Sequence, residues 1–225
     1  TKLSHLFMTS TKAGIDLLLS FKEDRWRIYH SGLLGYISTK NYSFSKKESD
    51  ELLQKYSIKK DFNMLIIATM HPLPFDEAKS LKDANEVFEA LKNFTNTFDK
   101  VEIFITSPNS DSGSEKIQNL IDQINSKYIK KVNSLGLDYQ KLLSISQNKK
   151  VVLLGNSSSI IKEAPFFNCF HINISQRQRN REAANTQIDL DADRKKILTA
   201  LKDIYLSTKI QPTLNYNPYF KEEGI

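Results

Sequence analysis

Three short stretches of this sequence are apolar at odd and even positions alike: MLIIATM (64–70), VEIFITS (101–107) and VVLLG (151–155). A strand with one wet face alternates apolar and polar residues, whereas a strand covered on both faces does not. These stretches therefore predict strands with helices packed above and below. Further strand-like runs are Leu3–Met8, Trp26–His30, the short IKKV (129–132) and Cys169–Ile174. Helical patterns lie between them. Asp76–Phe94 sets Ala84, Val87, Phe88 and Leu91 at i, i+3, i+4, i+7, and Ser114–Lys127 repeats the spacing with Ile117, Leu120, Ile121 and Ile124. Stripes of this kind face a core. Ser45 and Glu48 form a capping-box pattern for a helix over Lys46–Tyr56. Tyr139–Ser146 and Arg194–Leu206 complete the helices, and Ser31–Lys47 reads as the longest loop. Strand–helix alternation predicts right-handed βαβ units: an α/β fold with a doubly wound parallel sheet, read as one domain over residues 1–225.

Composition narrows the setting. Hydrophobic residues at 40% and charged residues at 26% of 225 describe an ordinary globular chain. No apolar run approaches the ~20 residues of a membrane span, so no membrane partner is expected. Cys169 is the single cysteine and cannot form an intrachain disulfide, which points to a reducing, cytoplasmic compartment. The net charge of +6 admits nucleic acid and suits a small anionic ligand equally well. No metal-ligand set and no cofactor is expected.

In a doubly wound sheet the ligand sits beyond the carboxyl ends of the strands, so the residues after each strand matter most. After the first long strand comes His71-Pro72-Leu73-Pro74; the prolines delay the helix, and His71 is either a plain loop histidine or a donor to phosphate. After the second comes SPNSDSGSEK (107–116), over-supplied with cap formers for a simple helix start. NSLGLDYQKLL (133–143) follows IKKV; its Gly136 makes a turn or lets a ligand approach, and Asp138 reads as an N-cap. After the third comes GNSSSIIKEAP (155–165), in which Gly155 and Asn156 make a turn and Ser157, Ser158 and Ser159 start a helix. Hydroxyls and free first-turn amides form a phosphate cradle, and Glu163 further along suits a ribose diol. The bland reading is a serine cap and a surface glutamate. The pattern is neither a P-loop nor a nucleophile elbow, since no Gly-Lys-Ser/Thr and no G-x-S-x-G is present. After the last run comes SQRQRNREAAN (175–185), whose Arg177, Arg179 and Arg181 either converge on an anion or splay into solvent. A nucleic-acid patch is the remote alternative, without an aromatic platform beside it.

TMHP, PNSDSG, SLGLDYQKLL, LLGNSSSIIKEAP and ISQRQRNREAAN, in this order, resemble the UDP-N-acetylglucosamine 2-epimerase family, and most closely its hydrolysing branch in sialic-acid-type sugar biosynthesis. The late NPYF (217–220) is similar to that family's NPYGDG tail, though here it continues as KE. The resemblance implies a Rossmann-like domain, the C-terminal half of a two-domain GT-B architecture. Residues 1–10 would then be the crossover from an absent N-terminal half and 211–225 a shortened tail. It implies that Ser157 and Ser158 hold the UDP phosphates and Glu163 the ribose hydroxyls. His71 would lie in the cleft as the catalytic histidine, with Asn109, Arg177 and Arg181 beside the nucleotide. Ser134, Leu135 and Gly136 would meet uracil, partly through backbone groups. Asn180 stands where the family often has glycine, and asparagine tolerates a left-handed backbone.

The implied reaction converts UDP-N-acetylglucosamine and water to N-acetylmannosamine and UDP, with acids of the other half removing the C2 proton. This half alone would have no turnover. A non-hydrolysing epimerase and a hydrolase of a diacetamido-trideoxy UDP-sugar remain open alternatives. The expected partners are a UDP-sugar and the N-terminal half, with room for a homo-oligomer.

Overall fold

The computed structural model describes residues 3–37 and 45–221. In chain order the elements are β1 (Phe7–Thr9), α1 (Lys12–Ser20), β2 (Ile28–His30), α2 (Leu34–Ile37), α3 (Lys46–Lys55), β3 (Met64–Thr69) and α4 (Glu77–Thr97). There follow β4 (Val101–Thr106), α5 (Ser114–Asp122), β5 (Ile129–Val132), α6 (Asp138–Ser144), β6 (Lys150–Gly155), α7 (Ser158–Lys162), β7 (Phe170–Ile174), β8 (Gln187–Leu190) and α8 (Arg194–Leu206).

Six parallel strands form the main sheet in the order β5-β4-β3-β6-β7-β8. The chain grows outward from β3 to β5 on one side, then returns and grows outward from β6 to β8 on the other. β3 and β6 therefore flank the switch point, in register from Met64 opposite Lys150 to Thr69 opposite Gly155.

Both parities of the central strands are apolar because each serves a different layer. Met64, Ile66 and Ala68 of β3 join Ile103, Ile105, Val152 and Leu154 under α4, α5 and α8, where Val87, Leu91, Ile117, Ile197 and Leu201 complete the packing. Leu65 and Ile67 join Phe104, Val151 and Leu153 under α3, α6 and α7, against Leu52, Leu142, Leu143 and Ile160. Each fully buried aliphatic side chain contributes roughly 1.5–3 kcal/mol, so the two layers dominate the stability of the domain.

The α3 capping box forms as expected: Ser45 Oγ accepts from the Glu48 amide, and the Glu48 carboxylate accepts from the Ser45 amide at 2.9 Å. Asp138 corrects an expectation. It is the first residue of α6 rather than its N-cap, which is Leu137, and its carboxylate instead holds Lys55 Nζ at 2.5 Å and Tyr56 Oη at 2.9 Å. Two elements, α1 and β8, are absent from the sequence-based expectation. α1 sets Ile15, Leu18 and Leu19 at helical spacing but fully buries none of its residues, and β8 is an edge strand, QIDL, whose residues are at most half-buried. Leu34–Ile37 forms the short α2 inside the stretch that reads as a loop; residues 38–44 of that loop lie outside the described residues. β1 is Phe7–Thr9, later than the run Leu3–Met8.

β1 and β2 pair in parallel as a separate two-stranded sheet, with α1 between them in the chain. Around this unit Leu6, Met8, Leu17, Phe21, Trp26 and Tyr29 are exposed. Backbone hydrogen bonds tie it to the rest. Leu33 N–H donates to the Tyr219 carbonyl at 3.0 Å, and Ala13 N–H to Glu182 Oε2 at 3.1 Å. Tyr219 is buried, and its hydroxyl donates to the Glu182 carbonyl at 2.9 Å. The NPYF segment thus packs against the chain where it leaves β2.

Candidate functional site

The switch point is built on a glycine and an asparagine. Gly155 has φ +133°, and a Cβ there would lie 2.0 Å from the Thr69 carbonyl oxygen. Only a residue without a side chain lets β6 end in such contact with β3. The next residue, Asn156, is 1% exposed, and its N–H donates to the Thr69 carbonyl at 3.1 Å. Its side-chain amide grips the backbone of His71 from both sides: Oδ1 accepts from the His71 N–H at 2.7 Å, and Nδ2 donates to the His71 carbonyl at 2.9 Å. Its own carbonyl accepts from Gln178 Nε2 at 2.8 Å and from Arg177 Nη1 at 3.4 Å. One buried residue thereby joins the loops after β3, β6 and β7.

The loop after β4 closes the ring. The Asn109 N–H donates to His71 Nδ1 at 3.0 Å. That bond places the neutral ring's proton on Nε2 and makes Nε2 the donor. Asn109 Nδ2 donates to Asp111, whose carboxylate lies 3.6 Å from Arg177 Nη2. Asn109 Oδ1 is buried without a partner among the described residues. Burial, and then the nearby Arg177 charge, push the His71 pKa down to about 4, against the opposing pull of Asp111. His71 is therefore a neutral hydrogen-bond donor at neutral pH.

A consequence is measurable. The imidazole is expected to titrate near pH 4 by NMR, and a midpoint near 6.5 would contradict the geometry. Because its folded pKa is depressed, the neutral form stabilises the fold fully above pH ~6.5, and that contribution is lost as pH falls from there to about 4.

Ser157 is the N-cap of α7; its Oγ accepts from the Ser159 N–H at 3.4 Å and stands 3.1 Å from Ser159 Oγ. Ser158 is the first helical residue, and the helix is only five residues long. Glu163 follows directly as its C-cap, with N–H donated to the Ser159 carbonyl at 2.8 Å. No hydrogen bond to the Glu163 carboxyl is found among the described residues. Burial raises its pKa from the ordinary value, against the charge of Lys162. The buried Tyr139 phenol is near enough that the Glu163 charge helps hold its proton, after burial itself.

The uracil-loop expectation meets a divided picture. Leu135 is buried in the α3/α6/α7 layer, so only its backbone is available to a ligand. Gly136 has φ +51°, and its N–H donates to Ser134 Oγ at 3.2 Å. This loop connects to the β4 loop through Ser107 Oγ, which donates to Asn133 Oδ1 at 3.4 Å. Arg177 joins the Asn156 ring, whereas Arg181 is exposed and stands beside Tyr219. Asn180 adopts φ +68°, the left-handed turn expected where a glycine could stand.

Sequence patterns mark Asn156 only as a turn residue and give Gln178 no role. The one signal is an asparagine directly after a strand-ending glycine, and nothing in the sequence says which backbone it grips. Among the described residues, no group of three His, Cys, Asp or Glu side chains could hold a metal ion, and no helix is long and apolar enough to cross a membrane.

A family model described as UDP-N-acetylglucosamine 2-epimerase matches residues 1–224. The chain is 30% identical over 192 residues to the GDP/UDP-N,N'-diacetylbacillosamine 2-epimerase (hydrolyzing) of Campylobacter jejuni, a match covering 84% of this chain and 47% of that protein. It is 30% identical over 215 residues to the UDP-N,N'-diacetylbacillosamine 2-epimerase (hydrolyzing) of Legionella pneumophila, covering 94% and 53%. The chain thus spans about half the length of these curated relatives. Among solved structures, the UDP-GlcNAc 2-epimerase from Neisseria meningitidis bound to UDP-GlcNAc superposes with a TM-score of 0.69 at 15% identity, over 97% of this chain and 58% of that one. With the strand order, this likeness shows the fold: a Rossmann-like α/β domain of the GT-B type.

Proposed function

We propose, as this chain belongs to the UDP-N-acetylglucosamine 2-epimerase family, that it binds the UDP moiety of a UDP-sugar. The observation that carries the reading is the Asn156 ring, which sets a neutral His71 and Arg177 side by side next to the Ser157 cap. In this reading the diphosphate lies against Ser157 and Ser158, with Arg177 as its counter-charge. His71 Nε2–H donates to a phosphate oxygen and stabilises the charge that develops as UDP leaves. Asn109 and Arg181 stand at the rim, and the backbone of Ser134–Gly136 meets the base.

Glu163 accepts hydrogen bonds from the ribose diol. Its half-buried carboxyl, without a hydrogen bond among the described residues, suits a group completed by a ligand. Calorimetric titration with UDP tests the reading, and absence of heat at millimolar UDP would remove it. Glu163→Ala is expected to weaken UDP binding by roughly 1–3 kcal/mol, the scale of charge-assisted hydrogen bonds. An unchanged affinity would exclude the ribose role.

The reading extends to the intact protein as a hydrolysing 2-epimerase. The C1–O bond to UDP breaks, water adds at C1, and the C2-epimerised free sugar departs with UDP. For UDP-N-acetylglucosamine the product is N-acetylmannosamine, the starting amino sugar of sialic-acid-type biosynthesis. The bases that act at C2 are assigned to a second, N-terminal half. What supports that assignment is the length of the relatives and the exposed apolar surface of the β1–α1–β2 unit, which a further domain would cover. A diacetamido-trideoxy UDP-sugar is the second reading for the substrate, favoured by the names of the two 30%-identical relatives. Product analysis with each UDP-sugar separates them.

A further inference from the structure

We propose that Asp83, on α4 and 92 residues before Ser175 in the chain, is the positioning residue for the arginine-bearing turn after β7. The proposal rests on the reading of that turn as part of a UDP site.

Asp83 is 4% exposed, an unusual place for a carboxylate without a role. Ser175 Oγ donates to its Oδ2 at 2.6 Å, and Lys79 Nζ donates to both of its oxygens at 3.0 and 2.9 Å. Ser175 is the first residue after β7 and has φ +62°. A non-glycine residue in the left-handed region needs to be held there by its surroundings. Ser175 is held twice: its N–H donates to the Leu190 carbonyl of β8 at 2.8 Å, and its hydroxyl is anchored on α4 by Asp83. Two and three residues later, Arg177 and Gln178 reach the Asn156 carbonyl.

The order of dependence is therefore α4, Asp83, Ser175, the turn, Arg177 and Gln178, and then Asn156 with its grip on His71. α4 is a 21-residue helix packed across the same sheet, and its first turn follows the His71 loop. Asp83 thus references the arginine turn to the element that also ends the histidine loop. In sequence, Lys79 and Asp83 at i, i+4 look like one more solvated ion pair. The burial of Asp83, with Lys79 left exposed, and the Ser175 bond set this pair apart.

The test uses Asp83→Ala and, in case that variant does not fold, Ser175→Ala, which removes only the hydroxyl. UDP affinity is read by calorimetry, and amide hydrogen exchange is read at Ser175 and Gln178. Both variants are expected to bind UDP about tenfold more weakly, with faster exchange at Ser175. Their combination is expected to be no worse than either alone, because they share one bond. In an Arg177→Ala background, Asp83→Ala is expected to add nothing to the affinity loss. Unchanged UDP affinity in the folded variants overturns the proposal, and so does additivity of Asp83→Ala with Arg177→Ala. A parent protein that binds no UDP, together with faster exchange at Ser175 in the variants, would keep the positioning role and remove the UDP reading.

Discussion

Replacing Gly155 with alanine is expected to destabilise the fold by roughly 4 kcal/mol or more, enough to leave a domain of ordinary stability largely unfolded. The added Cβ would sit 2.0 Å from the Thr69 oxygen, 2.8 Å from the Thr69 carbonyl carbon and 3.2 Å from its nitrogen. All three are backbone atoms of the neighbouring central strand, so no side chain can swing aside. Relief would require β3 and β6 to separate, and they are paired over six residues with apolar layers on both faces. The backbone itself, at φ +133°, adds strain for any residue with a Cβ. Urea unfolding of the variant measures the effect. A midpoint within error of the parent would show that the two strands do not approach as described.

Asn156→Asp is expected to be the most damaging single-atom change at the site. It turns the amide that donates to the His71 carbonyl into an oxygen, at a position 1% exposed. A carboxylate facing a carbonyl in that place loses one hydrogen bond and carries a buried, unpaired charge, costing about 2–4 kcal/mol at neutral pH. The loss has a characteristic pH dependence. Protonated, the new carboxyl can donate again, so its folded pKa rises above the unfolded value near 4. Relative to the parent, the variant is therefore least impaired below pH ~4, and the deficit grows as pH rises through the raised folded pKa. UDP affinity is expected to fall in parallel, because the Asn156 side chain holds the His71 loop in place. A stability difference from the parent that does not change between pH 5 and pH 8 would refute the donor role of Nδ2.

The two changes mark how far the sequence could be read. The sheet was legible because its central strands are apolar on both parities, a pattern that a strand with one wet face does not produce. α4 and α5 were legible because their stripes repeat at helical spacing, although α5 stops at Asp122 and Ile124 packs from the turn beyond it. α1 was missed although Ile15, Leu18 and Leu19 stand at helical spacing, and β8 was not legible, since it is a short edge strand with a neighbour on one side only. Among candidate site residues, the three serines marked a helix start through their type and their position after a strand, and the structure makes Ser157 the cap. Arg177 and Arg181 looked alike in RQRNR, yet only Arg177 joins the ring; the left-handed residues Ser175 and Asn180 turn the chain between β7 and β8 and leave Arg181 exposed. Asn156 gave no sign of its reach, because the groups it grips are backbone atoms 85 residues away.

The sequence by itself determined the class of fold and the loops in which a phosphate site could lie, since both follow from local periodicity and from residues that cap, turn or break helices. Tertiary structure alone decided which side chains meet. Parallel strands adjacent in space and distant in the chain put Gly155 against Thr69, Asn156 around His71 and Asp83 beneath Ser175. Those pairings depend on strand order and register, which no local pattern encodes, and the electrostatics of His71 follow from the burial they create.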